Sequence, residues 1–384
     1  MAFSPSPLKP QASRVDELDG LRGLLALWVA FSHMFAWAGY WENPLPGRLN
    51  GAWLVFVGAG PAVETFIILS GFAISFLLHK RVQSYGAFMR GRFFRIYPVY
   101  LVCLAIGIAL NTLVPAILQT AAWRDSVYFP LVKELAANES SSFWSHLFWH
   151  LTLLNGTLTR EFLPGANSTL LVPAWSITLE WQYYLVAPFL ARGVRSGAGL
   201  LGIGLIALVA NHYADLWKNP QLSFMPAQLP LFLIGIGSYH LYARLSEGGG
   251  LRTLPSLAFA GVLLLGLLSG WYPVALAAWA FGFGCILVRG DDPLARGLGI
   301  LRGVFLHRWL QHLGRISYPL YLIHWPMIIL LLFIVLKVHP SISSTQALLV
   351  LLATATPACL LAAHLIHKTV EKPLMDIGRK FDKR

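Results

Sequence analysis

Arg22 and His33 lie eleven positions apart in the first long apolar stretch of the chain, residues 21–38. At about 100° and 1.5 Å per residue, this spacing puts both on one helix face, about 16 Å apart along the axis. A neutral imidazole is suited to taking a proton near neutral pH, and a guanidinium to gripping an anion. Inside lipid such groups are costly, by about 3 kcal/mol for the arginine on insertion scales. They persist where they face a wet, protein-lined cavity, so the pair points to an active site inside a membrane bundle.

Four later segments carry similar residues. Glu64 precedes Ser70-Gly71-Phe72 in the second apolar stretch, and a carboxylate at that depth needs a basic partner within the bundle. Arg92 and Arg95 share a helical face at the start of the third stretch. They are either snorkelling arginines or a phosphate clamp. Glu180 follows Trp175-Ser176 and sits about 9 Å down its helix from the opposite end, near the expected depth of His33. It is either half of a structural ion pair or a partner to that imidazole. The last informative stretch runs from Arg315 through Ser317, Tyr321 and His324 to Pro326. Ser317, Tyr321 and His324 fall roughly on one face, and Pro319 and Pro326 free carbonyls that only protein or water can satisfy.

The elements that must position these groups are membrane helices. The chain is 56% hydrophobic and 12% charged, with a mean hydropathy of +0.61. Soluble domains run near 25% charged. Ten spans are expected, at about 20–38, 53–78, 96–114, 174–191, 198–213, 226–243, 254–270, 272–288, 313–336 and 346–367. The expected fold class is therefore an all-α polytopic bundle. It is a single domain over 1–384 with its core at 18–373 and tails at 1–17 and 374–384. With both termini in the cytoplasm, 21 of the 29 Lys and Arg fall on the inner side, as the positive-inside rule requires. The net charge of +12 is thus mainly a topology signal and does not imply a nucleic acid partner. Cys103, Cys285 and Cys359 read as small buried hydrophobes. Between the third and fourth spans, residues 143–154 form an apolar-aromatic segment too short to cross. It is expected to be an interfacial or re-entrant helix, with His146 and His150 at i, i+4 but no third ligand nearby.

Taken in order and at these depths, the five segments are similar to those of the acyltransferase 3 family, multispanning membrane O-acyltransferases. Arg22 and His33 match that family's arginine–ten residues–histidine signature. Ser70-Gly71-Phe72, Arg92, Arg95, Glu180 and His324 fall on counterparts, and Glu64 stands where many members have aspartate. The resemblance runs from Leu18 to Pro373. It covers the membrane domain without the extra hydrolase-like domain that many members carry.

The resemblance implies acyl transfer, usually of acetyl, from cytoplasmic acyl-CoA to a hydroxyl of an exported or envelope glycan. Acyl-CoA is then a substrate rather than a tightly bound cofactor, and no metal is implied. The expected partners are a glycan or lipid-linked saccharide acceptor, the bilayer and envelope-biosynthesis proteins, with a bacterial inner membrane as the location. In this reading His33 is the general base or, alternatively, a transient acyl carrier, and Glu180 orients it. Arg22 polarises the thioester or holds a phosphate. His324 is a second acid/base or a channel wall. Arg92, Arg95, Arg315, Ser70, Glu64 and Tyr321 line the donor site. Ser70 lacks a nucleophile elbow and is read as packing, not as the attacking group. The competing reading is a transporter or flippase of a lipid-linked glycan, with the same charges lining a path.

Overall fold

The computed structural model describes residues 15–41, 57–80, 83–194, 196–216, 223–248, 273–287 and 293–381. Among these residues every regular element is helical. The helices are α1 (Asp16–Trp37), α2 (Gly60–Lys80), α3 (Tyr85–Asn111), α4 (Val114–Thr120), α5 (Tyr128–Ser141), α6 (Phe143–Thr152), α7 (Ala174–Gly193) and α8 (Gly197–Leu216). They continue with α9 (Met225–Gly248), α10 (Pro273–Leu287), α11 (Pro293–Leu306), α12 (Arg308–Val338), α13 (Ser344–Ile366) and α14 (Lys372–Phe381). A π-helical turn, His367–Glu371, joins the last two.

Helices stand where nine of the ten expected spans fall; the remaining span, 254–270, lies outside the described residues. Among the described residues, four helical stretches are long and apolar enough to cross a membrane: α2, α3, α12 and the continuous run Ser344–Phe381. In α1, Arg22 and His33 dilute the apolarity that would mark it as a span.

Several helices run beyond the apolar stretches. α3 starts at Tyr85, capped by Ser84, whose hydroxyl accepts from the Ala87 amide at 3.2 Å. Arg92 and Arg95 therefore stand on a helix from the outset. Hydropathy marks only the lipid-embedded part of such a helix, whereas capping and packing decide where it begins. For the same reason the basic segments 289–308 and 368–384 contain α11 and α14. The segment after α3 folds as three short helices, of which α6 covers most of the expected apolar-aromatic piece. Trp144 on α6 is exposed, while His146 and His150 are buried. His146 Nδ1 pairs with the Thr169 hydroxyl at 2.9 Å and His150 Nδ1 with the Tyr100 hydroxyl at 3.0 Å. Burial pushes the His150 imidazole down to about 3. Among the described residues no three His, Cys, Asp or Glu side chains gather as a metal site. All three cysteines are buried, and none forms a disulfide among the described residues.

The centre of the bundle is α1 packed along α12. Their close approach depends on glycine: a methyl on Gly314 would strike the Asp19 backbone. A second close crossing joins α2 to α9. There a methyl on Gly235 would run into the Ile68 carbonyl, and one on Gly71 into that of Phe232. Gly71 thus serves packing, as its motif suggests. Gly235→Ala is expected to destabilise the detergent-purified protein by about 1–3 kcal/mol, read from its thermal unfolding midpoint. Gly237→Ala, where a methyl meets open space, should leave the midpoint unchanged.

Candidate active site

A cavity of about 1200 Å³ opens among α1, α2, α3, α7, α12 and α14. Seven of the ten predicted site residues line it: Arg22, Ser70, Arg92, Arg95, Glu180, Arg315 and Tyr321. Four exposed cations, Lys80, Arg315, Lys372 and Arg379, ring its mouth. With Arg22, Arg92 and Arg95 they make seven Lys and Arg on the walls, against the carboxylates of Asp19, Glu180 and Asp376. Arg315, Tyr318, Tyr321 and His324 succeed one another at three-residue intervals along α12, a row that winds about 180° around the helix as it passes from the exposed Arg315 to the buried His324.

The two histidines stand just beyond Tyr321, whose ring centroid lies 6.1 Å from that of His324. His33 Nδ1 and His324 Nε2 are 3.0 Å apart, and the rings stack with centroids 5.1 Å apart. His324 is fully buried, and its Nδ1 lies 3.3 Å from the Leu320 carbonyl. A carbonyl only accepts, so Nδ1 of His324 carries the proton and Nε2 holds a lone pair. His33 Nδ1–H then donates to that lone pair, which leaves His33 Nε2 unprotonated and able to act as a base. Trp325 packs edge-on against His33, centroids 5.3 Å apart, and stabilises its orientation.

Glu180 is not the partner of His33. Its Oε1 accepts from the Ser70 hydroxyl at 3.2 Å and from the Tyr184 hydroxyl in a short bond. The rise along each helix places Glu180 and His33 at one depth but says nothing about lateral neighbours, and α12 supplies the partner instead. Ser176, one turn before Glu180, shares a 2.7 Å hydrogen bond with the Tyr321 hydroxyl. Ser70, Glu180, Tyr184, Ser176 and Tyr321 thus form the polar inner wall of the cavity.

The arginines are held differently. Arg22 lies 3.6 Å from Asp19 and feels the charges of Arg95 and Glu180. Arg95 is ion-paired to Glu371. Arg92 lies over the rings of Phe88 and Tyr184, 5.9 and 5.6 Å from their centroids, and its buried Nε has no hydrogen-bond partner. Glu64 stays apart: half-buried, it does not line the cavity, and no ion pair to it is found among the described residues. Six positions before Ser70, it points about 120° away around α2. The expected basic partner is therefore not found there.

Sequence reasoning missed Tyr184, Ser176, Tyr318 and Glu371. The tyrosines and serine stand in the same motifs as Glu180 and His324, at helical spacing from them. Glu371 had no comparable signal, standing among the basic residues beyond the last apolar stretch.

A family model described as an acyltransferase domain matches residues 15–364. The chain is similar to acyltransferase MdmB of Streptomyces mycarofaciens, 27% identical over 190 residues, covering 49% of this chain and 42% of that protein. It is also similar to protein 2 in the picA locus of Rhizobium radiobacter, 31% identical over 93 residues, covering 23% and 41% of the two chains. The chain spans less than half the length of either curated relative it matches. No solved structure matches it.

Proposed function

The chain belongs to the acyltransferase 3 family, and on that premise we propose that it moves an acyl group from acyl-CoA to a hydroxyl of an envelope or exported glycan. The carrying observation is the basic cavity whose inner wall, at Tyr321, adjoins a histidine pair with a free imidazole lone pair. At about 1200 Å³ the cavity exceeds the ~300–1,000 Å³ usual for small-molecule sites, in keeping with a long cosubstrate. Its ring of cations suits the phosphates of coenzyme A. The basic segments around it are those that the positive-inside rule assigns to the cytoplasm, where acyl-CoA is made. We assign the protein to a bacterial inner membrane and acetyl as the acyl group.

In the reaction, the acceptor hydroxyl gives its proton to His33 Nε2 as its oxygen attacks the thioester carbonyl carbon. The C–S bond then breaks, and the departing sulfur takes the proton back from His33. His324 accepts the Nδ1 proton of His33 in a hydrogen bond throughout, holding the ring in place and easing the positive charge it acquires. The hydroxyls of Tyr321 and Ser176 stand between the cavity and this pair, able to donate to an oxyanion.

The deciding experiment compares ester-linked acetyl on envelope glycan in cells with and without the protein. Ester acetyl present only with the protein, while glycan export is equal in both, is the expected result. Export that fails without the protein, with ester content per glycan unchanged, would overturn this reading in favour of the transporter.

A further inference from the structure

Glu371 ends the π-helical turn between α13 and α14 and is fully buried. One carboxylate oxygen accepts from Arg95 Nη1, and the other pairs with His367 Nδ1 at 2.6 Å. Arg95 and His367 both line the cavity, while Glu371 stands behind them outside its lining. Arg95 is held from other directions as well. Its guanidinium lies 5.6 Å from the centroid of the Tyr318 ring, and Nη1 lies 3.4 Å from Met375 Sδ. The Tyr318 hydroxyl is itself fixed by donating to the Ile96 carbonyl at 2.8 Å.

One turn earlier on α3, Arg92 differs in kind. Among the described residues no carboxylate pairs with it, and its buried Nε is without a partner. The two arginines share a helix face yet present different chemistry. Arg92 keeps its full charge. Arg95 with Glu371 has little net charge but retains directed N–H donors. Arg95 is level with Tyr318, about 9 Å along α12 from His324, whereas the exposed Lys80, Arg315, Lys372 and Arg379 mark the mouth.

A donor with phosphates at one end and a thioester at the other matches this gradient. We propose that Glu371 is a positioning residue for acyl transfer: it fixes Arg95 as a charge-balanced donor facing the uncharged thioester carbonyl, while Arg92 and the mouth cations take the phosphates. The proposal rests on the acyl-CoA reading above. It gives a reason for burying a carboxylate beneath a cavity that otherwise gathers cations.

The test is equilibrium binding of coenzyme A and of acetyl-CoA to the full-length protein purified in detergent. The wild type is expected to bind acetyl-CoA about tenfold more tightly than coenzyme A, the worth of one charge-assisted hydrogen bond. Glu371→Gln should bring that ratio to about one with coenzyme A affinity within about threefold of wild type, and Glu371→Asp should restore the ratio. Arg95→Gln should lose the ratio in the same way, and adding Glu371→Gln to it should change nothing further. Arg92→Gln should weaken both ligands equally, by about tenfold, and more so at low salt.

A Glu371→Gln protein that keeps the wild-type ratio, or that binds coenzyme A more tightly because a charge has been freed, overturns the proposal. Should Glu371→Gln fail to accumulate, Arg95→Gln decides: loss of coenzyme A as severe as in Arg92→Gln overturns the division between the arginines. Wild type that binds neither ligand overturns the donor reading and the proposal with it. A failing variant beside a binding wild type overturns the proposal alone.

Discussion

His33→Ala is expected to lower acyl transfer by about 10²–10⁴-fold, the usual worth of a general base, at unchanged abundance and unchanged acyl-CoA affinity. The magnitude comes from the geometry of the pair. The Leu320 carbonyl fixes the tautomer of His324, His324 fixes that of His33, and the lone pair that results lies at His33 Nε2. A hydroxyl nucleophile in a bundle interior has few other places to send its proton. The cavity proposed for the donor does not include His33 in its lining, so the donor's affinity should survive the change. Transfer measured with saturating acetyl-CoA would show a fall in kcat. Activity above a tenth of wild type would refute the assignment of the base. The same variant separates base from acyl carrier. If His33 carried the acyl group, wild-type protein given labelled donor alone would retain label on the imidazole and His33→Ala would not. As a base it retains none in either case.

The second large effect is expected at His324. Replacing it with Phe keeps a buried ring against His33 but removes the acceptor for His33 Nδ1–H. An unsatisfied buried donor costs about 1–3 kcal/mol, equivalent to roughly a 10- to 100-fold fall in kcat. Gln at the same place carries a carbonyl that can accept the bond, so His324→Gln should recover most of the loss. The comparison discriminates between the two roles open to His324 from its sequence position. A second acid/base would be lost equally in Phe and Gln, because neither can carry a proton through the reaction. Equal loss in both would therefore reverse the positioning role assigned here.

Most of the fold was legible because a membrane helix announces itself by length and apolarity. Arg22, His33 and His324 stood out as polar groups in such runs. Why His33 should meet His324, 291 residues away, was not legible. Rise per residue gives a depth on each helix, and many polar groups share one depth; which of them become neighbours depends on how helices pack across the bundle. The glycine contacts of α1 with α12 settle that here, and Glu180 meets Ser70 and Tyr184 instead. Glu64 shows the converse limit. It lies in the right helix but faces away from the cavity, about 120° around α2 and about 9 Å along it from Ser70. Glu371 was hidden for a third reason. A carboxylate just past the last apolar run, in basic company, looks like a solvated tail residue until the helix is seen to continue and carry it back beneath Arg95.

The π-helical turn at His367–Glu371 also sets the rotational phase of α14. A π-turn accommodates one residue more than an α-turn, so α14 is rotated by about 100° from the face it would show had α13 continued unbroken. That rotation brings Lys372 and Arg379 to the cavity mouth and leaves Ile377 and Phe381 exposed on the outside. The end of this chain therefore has something like a reading frame. A one-residue deletion in the turn would keep every side chain of α14 yet swing its basic face away from the mouth. Insertions and deletions near a terminus are usually the most forgiving of changes; across this turn their effect on donor capture would depend on where they leave that phase.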